Sequence, residues 1–201
     1  MFVSGHIGKL GTGSADKCKT TIFVEALDAR KLDWELEISG NDIIWHVVNE
    51  GAFTPITITP DGTPVAVYER CALTNKEIIV FTGDGTSPTY DVYDYSGVLD
   101  TVVAFDAQWV APSDKLQAYA ATPNGDVYFF DSALGNFTHI SNLGSVVKCV
   151  CFWGYDSEES AYKTYGLILT STGDLYRIAE DDSTSITLVM QNVRCLGYDI
   201  R

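Results

Sequence analysis

The sequence lacks several things, and each absence narrows what the chain can be. No stretch approaches the ~18 consecutive apolar residues of a spanning helix, and the start, MFVSGHIGKLGTGS, has no basic end followed by an apolar core. The expectation is cytoplasmic synthesis without a signal peptide, and no membrane. Positive charge is scarce: 13 Lys and Arg stand against 27 Asp and Glu, for a formal net charge of -14. Such a chain repels phosphate backbones and anionic lipid, so no nucleic acid is expected as a partner. Histidine is limited to His6, His46 and His139, none with a second His or Cys at ligand spacing, so no metal and no cofactor is expected. A G-x-S-x-G elbow is missing, and most acids fall at turns or on outward strand positions. No catalytic residue can be named, and an enzyme would have to gather its site from distant segments.

Cysteine is present in odd number, as Cys18, Cys71, Cys149, Cys151 and Cys195. Scattered spacing and an odd count suit reduced thiols rather than a disulfide framework, which leaves the sequon Asn136-Phe-Thr138 unused. Cys149 and Cys151 share one face of a strand pattern and read as buried core thiols. The acidic turns Thr82-Gly-Asp-Gly85 and Glu180-Asp-Asp182 lack the spacing of a calcium loop.

One segment imitates a phosphate-binding loop. GTGSADKCKT (11–20) reads from Gly13 as G-x-x-x-x-C-K-T. Cys18 stands where that loop needs a second glycine to let backbone N–H groups converge, and a strand pattern follows instead of a helix. Asp106, after VVAF, is the acid that magnesium would require, but strand-end acids are common. The segment reads as an N-terminal arm (1–16) that closes a ring of sheets or leads into the first of them.

What the sequence does have is alternation. Its apolar fraction of 46% supports a packed core. DWELEIS (33–39) places Trp34, Leu36 and Ile38 on one face and Glu35 and Glu37 on the other, the period of a strand. TPITITPDGTPVAVYE (54–69), LQAYAATPNGDVYFFD (116–131) and YGLILTSTGDLYRIAE (165–180) each read as a hairpin around turn residues. About sixteen strands can be counted this way. A short helix competes only at TTIFVEALDARKL. The fold class is all-β.

The strands repeat. PNGDVYFF against STGDLYRI sets Gly125 and Gly173 48 residues apart, while VVKCV (146–150) against VRCL (193–196) sets Cys149 and Cys195 46 apart. A rival match, Gly154-Tyr-Asp with Gly197-Tyr-Asp, gives 43 and would reverse the buried face. DTVVAFDA (100–107) and DIIWHVV (42–48) read as the same closing strand in earlier units. Units of about 50 residues with four strands each predict a single domain over 1–201, a small β-propeller of about four four-stranded blades. A β-sandwich or another antiparallel β-barrel is the alternative.

VVKCVCFWGYD followed by YGLILTSTGDLYRI resembles blades of the regulator-of-chromosome-condensation type, in which a V-x-x-V strand leads to a small-residue strand and a G-x-L-Y turn. The resemblance spans 101–201. The glycine-rich G-x-N-x-x-G-Q-L-G element of that family is missing, with HIGKLGTG (6–13) a partial echo. It implies blade geometry and carries no chromatin binding or nucleotide exchange.

Tyr90, Tyr93, Tyr95, Trp109 and Trp153 are the candidate interaction residues, because planar rings bury much area at low entropy cost. Packing between blades draws on the same property. The expected function is a non-enzymatic platform that binds other proteins within an oligomer or larger assembly, similar in style to propeller domains of bacteriophage virion or tail proteins. Carbohydrate-binding lectins and a channel-mouth hydrolase or lyase are the alternatives. Trp34, Trp45, Trp109 and Trp153 keep no common spacing, which counts against a lectin that repeats its sugar platform in every blade.

Overall fold

The computed structural model describes residues 19–24, 32–49, 52–68, 70–83, 88–99, 101–110, 113–157 and 160–196. The arm 1–16, the loop imitation up to Cys18, the second half of the Thr82 turn and Gly197 lie outside them. Sixteen strands are present among the described residues, in four antiparallel sheets of four. The first sheet is β1 (Lys19–Val24), β2 (Leu32–Ser39), β3 (Asp42–Asn49) and β4 (Ala52–Ile58). The second is β5 (Pro64–Tyr68), β6 (Cys71–Thr74), β7 (Glu77–Gly83) and β8 (Pro88–Asp94). The third is β9 (Ala104–Val110), β10 (Lys115–Ala121), β11 (Asp126–Asp131) and β12 (Asn136–Asn142). The fourth is β13 (Val146–Asp156), β14 (Ala161–Thr170), β15 (Leu175–Ala179) and β16 (Asp182–Met190). Each sheet pairs its strands in chain order, and among the described residues no pairing joins one sheet to another or closes a barrel. Two compact units result, one holding the first two sheets and one, from Tyr95 onward, holding the last two.

In the first unit alternation does what it predicts: Leu36 and Ile38 of β2 are buried and Glu37 between them is half-buried. They join Ile43, Trp45 and Ile58 of the same sheet and Val67, Ala72, Ile79 and Phe81 of the second in one core. Trp45 and Phe81 meet across the two sheets with ring centroids 5.1 Å apart. The stretch with a competing helix begins as strand β1, paired with β2 from Lys19 against Glu37 to Val24 against Leu32.

Three expectations are corrected. The hairpin at 54–69 does not form: β4 pairs with β3 and β5 with β6, so Pro60 to Thr63 links two sheets. The reason lies in what satisfies that loop. Thr63 N donates to Asn75 Oδ1 (2.7 Å), Asp61 N donates to Glu77 Oε1 (3.1 Å), and a Cβ on Gly62 would lie 2.3 Å from Thr74 Oγ1. The β6–β7 turn thus supplies the partners a β4–β5 ladder would have supplied. Second, DIIWHVV is β3, the third strand of its sheet, whereas AFDA begins β9, the first strand of its own; an Asp followed by a mostly apolar run made the two segments look alike. Third, VRCL is no strand, because the chain leaves the fourth sheet after Met190 and Asn192 takes a φ of 62°, incompatible with an extended run.

The second unit contains both remaining hairpins as expected, β10 with β11 and β14 with β15. β10 is covered on both faces, with Leu116 and Ala118 to Ala121 wholly buried. β9 packs beside β13, and Ile140, Cys149, Cys151, Ile168 and Ile178 share one core with Tyr119 and Phe129. Tyr119 lies over Gly166, where a Cβ would fall 2.9 Å from three ring carbons. Its hydroxyl donates to the carbonyls of Glu180 (2.9 Å) and Ile178 (3.3 Å). Burial, then the neighbouring Cys151, Glu180 and Asp181 groups, push that phenol far up, so it stays a donor.

Polar groups also cross this core. Asp106 is buried in the middle of β9, where its Oδ2 accepts Cys151 N of β13 at 2.7 Å. It is an edge plug rather than a strand-end acid awaiting magnesium. Gln117 Nε2 donates to Asp131 Oδ2 (2.8 Å), Lys115 Nζ to the same oxygen (2.6 Å), and Thr164 Oγ1 of β14 to Gln117 Oε1. Burial works against an ionised Asp131, but the bonds from Lys115, Gln117 and Ala133 N outweigh it and hold the carboxyl below its usual range.

Candidate functional site

The fourth sheet has a feature its neighbour lacks. β13 is 11 residues long and β14 is 10, while β15 is only 5 and pairs no farther toward the β13–β14 loop than Tyr165 against Ala179. Beyond that point β13 and β14 continue as a two-stranded ribbon, with Trp153 opposite Thr164, Gly154 opposite Lys163, Tyr155 opposite Tyr162 and Asp156 opposite Ala161. Alternation places Trp153, Tyr155, Tyr162 and Thr164 on the face that continues the core face of Cys151 and Gly166. Past Thr164 that face is uncovered.

Three rings occupy it. Trp153 stacks on Tyr162 at 4.5 Å between centroids and 28° between planes, and Tyr155 meets Tyr162 edge to face at 5.1 Å. Their exposures are 37% for Trp153, 56% for Tyr155 and 58% for Tyr162, high for adjoining aromatics. The opposite face is built for stiffness. Phe152 stacks on Tyr165 at 5.6 Å, Tyr165 OH donates to Asp156 Oδ2 at 2.8 Å, and the Arg177 guanidinium lies 5.4 Å from the Tyr165 ring centre. Burial and then the Asp156 bond push the Tyr165 phenol up, so the proton stays in that bond. Gly154, across from Lys163, leaves the two rings unobstructed, with its Cβ position 3.4 Å from Phe152 and 3.5 Å from Tyr165.

No family model and no curated protein matches this chain. The site is therefore read from its own chemistry.

The structure distributes the five sequence candidates. Tyr90 and Tyr93 lie on β8 in the first unit, exposed and half-buried, and Tyr90 with Val92 lines a groove of about 200 Å³ beside Asp61 and Glu77. Tyr95, in the second unit, is 1% exposed and meets Phe137 edge to face at 5.7 Å. Trp109 is half-buried on β9 opposite Leu116. Trp153 alone belongs to the exposed cluster. Sequence reading missed its companions Tyr155 and Tyr162; the available signal was the pair of aromatics two apart in FWGYD, with another in the next strand.

A second polar group lines a cavity of about 120 Å³ with Val98, Thr101, Thr122, Asn124 and Tyr128. Asp126 Oδ1 accepts Asn142 Nδ2 at 2.9 Å and lies 3.3 Å from His139 Nε2. Those two contacts, Asn142 first, hold the Asp126 carboxyl below its usual range. Tyr128 meets the His139 ring edge to face at 5.1 Å, and the pair orders the β11–β12 ladder and the turn before it. Among the described residues Cys71, Cys149 and Cys151 are buried thiols, Cys195 is exposed, and no three His, Cys, Asp or Glu come together as a metal site. Burial, reinforced by Asp106, pushes the Cys149 thiol up, away from reactivity. No helix among the described residues is long and apolar enough to cross a membrane.

Proposed function

We propose that the four sheets are blades of a small propeller and that the chain is a non-catalytic part of a larger protein assembly, such as a virion or tail. It grips a neighbouring protein through the aromatic face of the β13–β14 ribbon. Four meanders of four consecutive strands support the blade reading, as does the packing of β9 beside β13. The observation that carries the function is the uncovered set of Trp153, Tyr155 and Tyr162, since exposed rings on a rigid ribbon are costly in water and energetic in an interface. A lectin would repeat such a platform from blade to blade, and the corresponding strands β9 and β10 stop at seven residues each.

The test is size-exclusion chromatography with light scattering on protein from its native source. The expected result is a particle well above the 22.0 kDa of one chain, with a partner that co-purifies and is lost in the Trp153→Ala, Tyr162→Ala double variant. A lone monomer with no partner would sink the reading.

A further inference from the structure

The aromatic face has an acidic border. Glu180 N donates to Thr164 O at 2.8 Å, which pins the turn Glu180-Asp181-Asp182 at the root of the ribbon, beside the residue that faces Trp153. Glu180 is half-buried, and Asp181 and Asp182 are exposed. Glu180 and Asp181 both act electrostatically on the Tyr119 hydroxyl, so their charge is felt on the core-facing side of the sheet that the three rings prolong. Asp182 is occupied in part, its Oδ1 accepting Thr184 N (2.8 Å) and Thr184 Oγ1 (2.6 Å). Lys163 falls in register on the opposite face of the ribbon and acts electrostatically on Asp182, the outermost acid of the turn.

We propose that this face takes a cationic segment of a partner protein, an arginine or lysine seated on the Trp153 and Tyr162 rings with its charge toward Glu180 and Asp181. The proposal rests on the ribbon being the docking surface and adds the chemistry of its occupant. The rings present electron-rich faces to a cation, two carry phenol oxygens, and among the described residues of the ribbon no aliphatic side chain shares that face, which makes it a poor seat for a purely apolar helix. The chain's net charge of -14 favours a basic partner and opposes a second copy of the chain. The ribbon already shows the geometry internally, where Arg177 lies over Tyr165.

Calorimetric titration of the full chain would test this with a short peptide bearing several arginines spaced by Gly and Ser, against the same peptide with every Arg replaced by Gln. The arginine peptide is expected to bind about tenfold tighter, equivalent to about 1.4 kcal/mol. Tyr162→Ala should erase that preference, and Glu180→Gln with Asp181→Asn should cut it about threefold and flatten its salt dependence. Thermal unfolding of each variant checks that it is folded, and Tyr155→Ala, at the ring that meets Tyr162 edge to face, provides a second reading of the same loss. Equal binding of the two peptides would overturn the proposal, as would oligosaccharide binding that depends on Tyr162 without any response to arginine. If the arginine peptide fails while Trp153→Ala still strips the native partner, the inference about charge falls and the docking surface stands. If Trp153→Ala leaves that complex intact, the docking surface falls and the inference with it.

Discussion

The first two strands of the third sheet are seven residues each, and those of the fourth are 11 and 10. At their other ends the two sheets are nearly superimposable in their bonding. Thr122 N donates to Asp126 O and Thr170 N to Asp174 O, both at 3.0 Å; Gly125 N and Gly173 N return to those threonines at 3.0 Å; the threonine hydroxyls accept Asp126 N and Asp174 N at 3.2 Å. Gly125 and Gly173 take φ of 89° and 87°. What is shared is the turn that builds a sheet, and what differs is a ribbon that adds nothing to the sheet and exposes three rings. The proposed docking surface therefore rests on a departure from the repeated plan rather than on a feature that repeats.

The largest test of the comparison is at its two glycines. Both substitutions to Ala face the left-handed backbone cost of about 1–2 kcal/mol, but a Cβ at Gly125 would also fall 1.9 Å from Gly144 O, against 3.1 Å to Val193 O at Gly173. Denaturant unfolding should show Gly125→Ala losing about 3 kcal/mol or more and Gly173→Ala about half as much; equal losses would mean that the turns are not packed as described. Next, Asp106→Ala strands Cys151 N in the core between the two sheets and should cost about 2 kcal/mol. Third, Thr122→Val and Thr170→Val each remove one turn hydroxyl and should cost about 1 kcal/mol apiece, with a clear inequality breaking the equivalence.

A smaller effect is expected with pH. The Asp131 carboxyl of the third sheet is held below its ordinary 3.8, so between its folded value and 3.8 the unfolded chain binds a proton that the folded chain does not. Its stabilising contribution is complete above the ordinary value and is lost as pH falls through the folded one. Acid titration of unfolding should show this limb, and Lys115→Met should shrink it. Smallest of all, Tyr155→Ala should change stability by less than about 0.5 kcal/mol, since its ring is mostly in water. A larger loss would make the aromatic face a part of the fold.

Legibility followed the range of the interaction. Strands such as DWELEIS and hairpins such as 116–131 and 165–180 could be read because alternation and turn residues act within a few positions. Gly125 and Gly173 revealed the repeat, and a third mark was available in Thr74, 48 residues before Thr122 as Thr122 is before Thr170, with its hydroxyl accepting Glu77 N at 2.9 Å. The turn at Pro60 to Thr63 misled because Pro-Asp-Gly-Thr has the same local preferences whether it joins two strands of one sheet or two sheets. Tyr155 and Tyr162 were missed because their meeting depends on a cross-strand register that neither strand encodes alone.

By itself, then, the sequence determined that this chain is all-β, built from short antiparallel units, acidic, and without a linear catalytic motif. Those properties follow from side-chain period, charge and local backbone preference. Tertiary structure alone decided which strands share a sheet, that Asp106 serves an edge amide, and that Trp153 stands with Tyr162 beside an acidic turn. Each of these depends on groups brought together by pairing and burial, nine positions apart for Trp153 and Tyr162 and 45 for Asp106 and Cys151, where the chain's local preferences are silent.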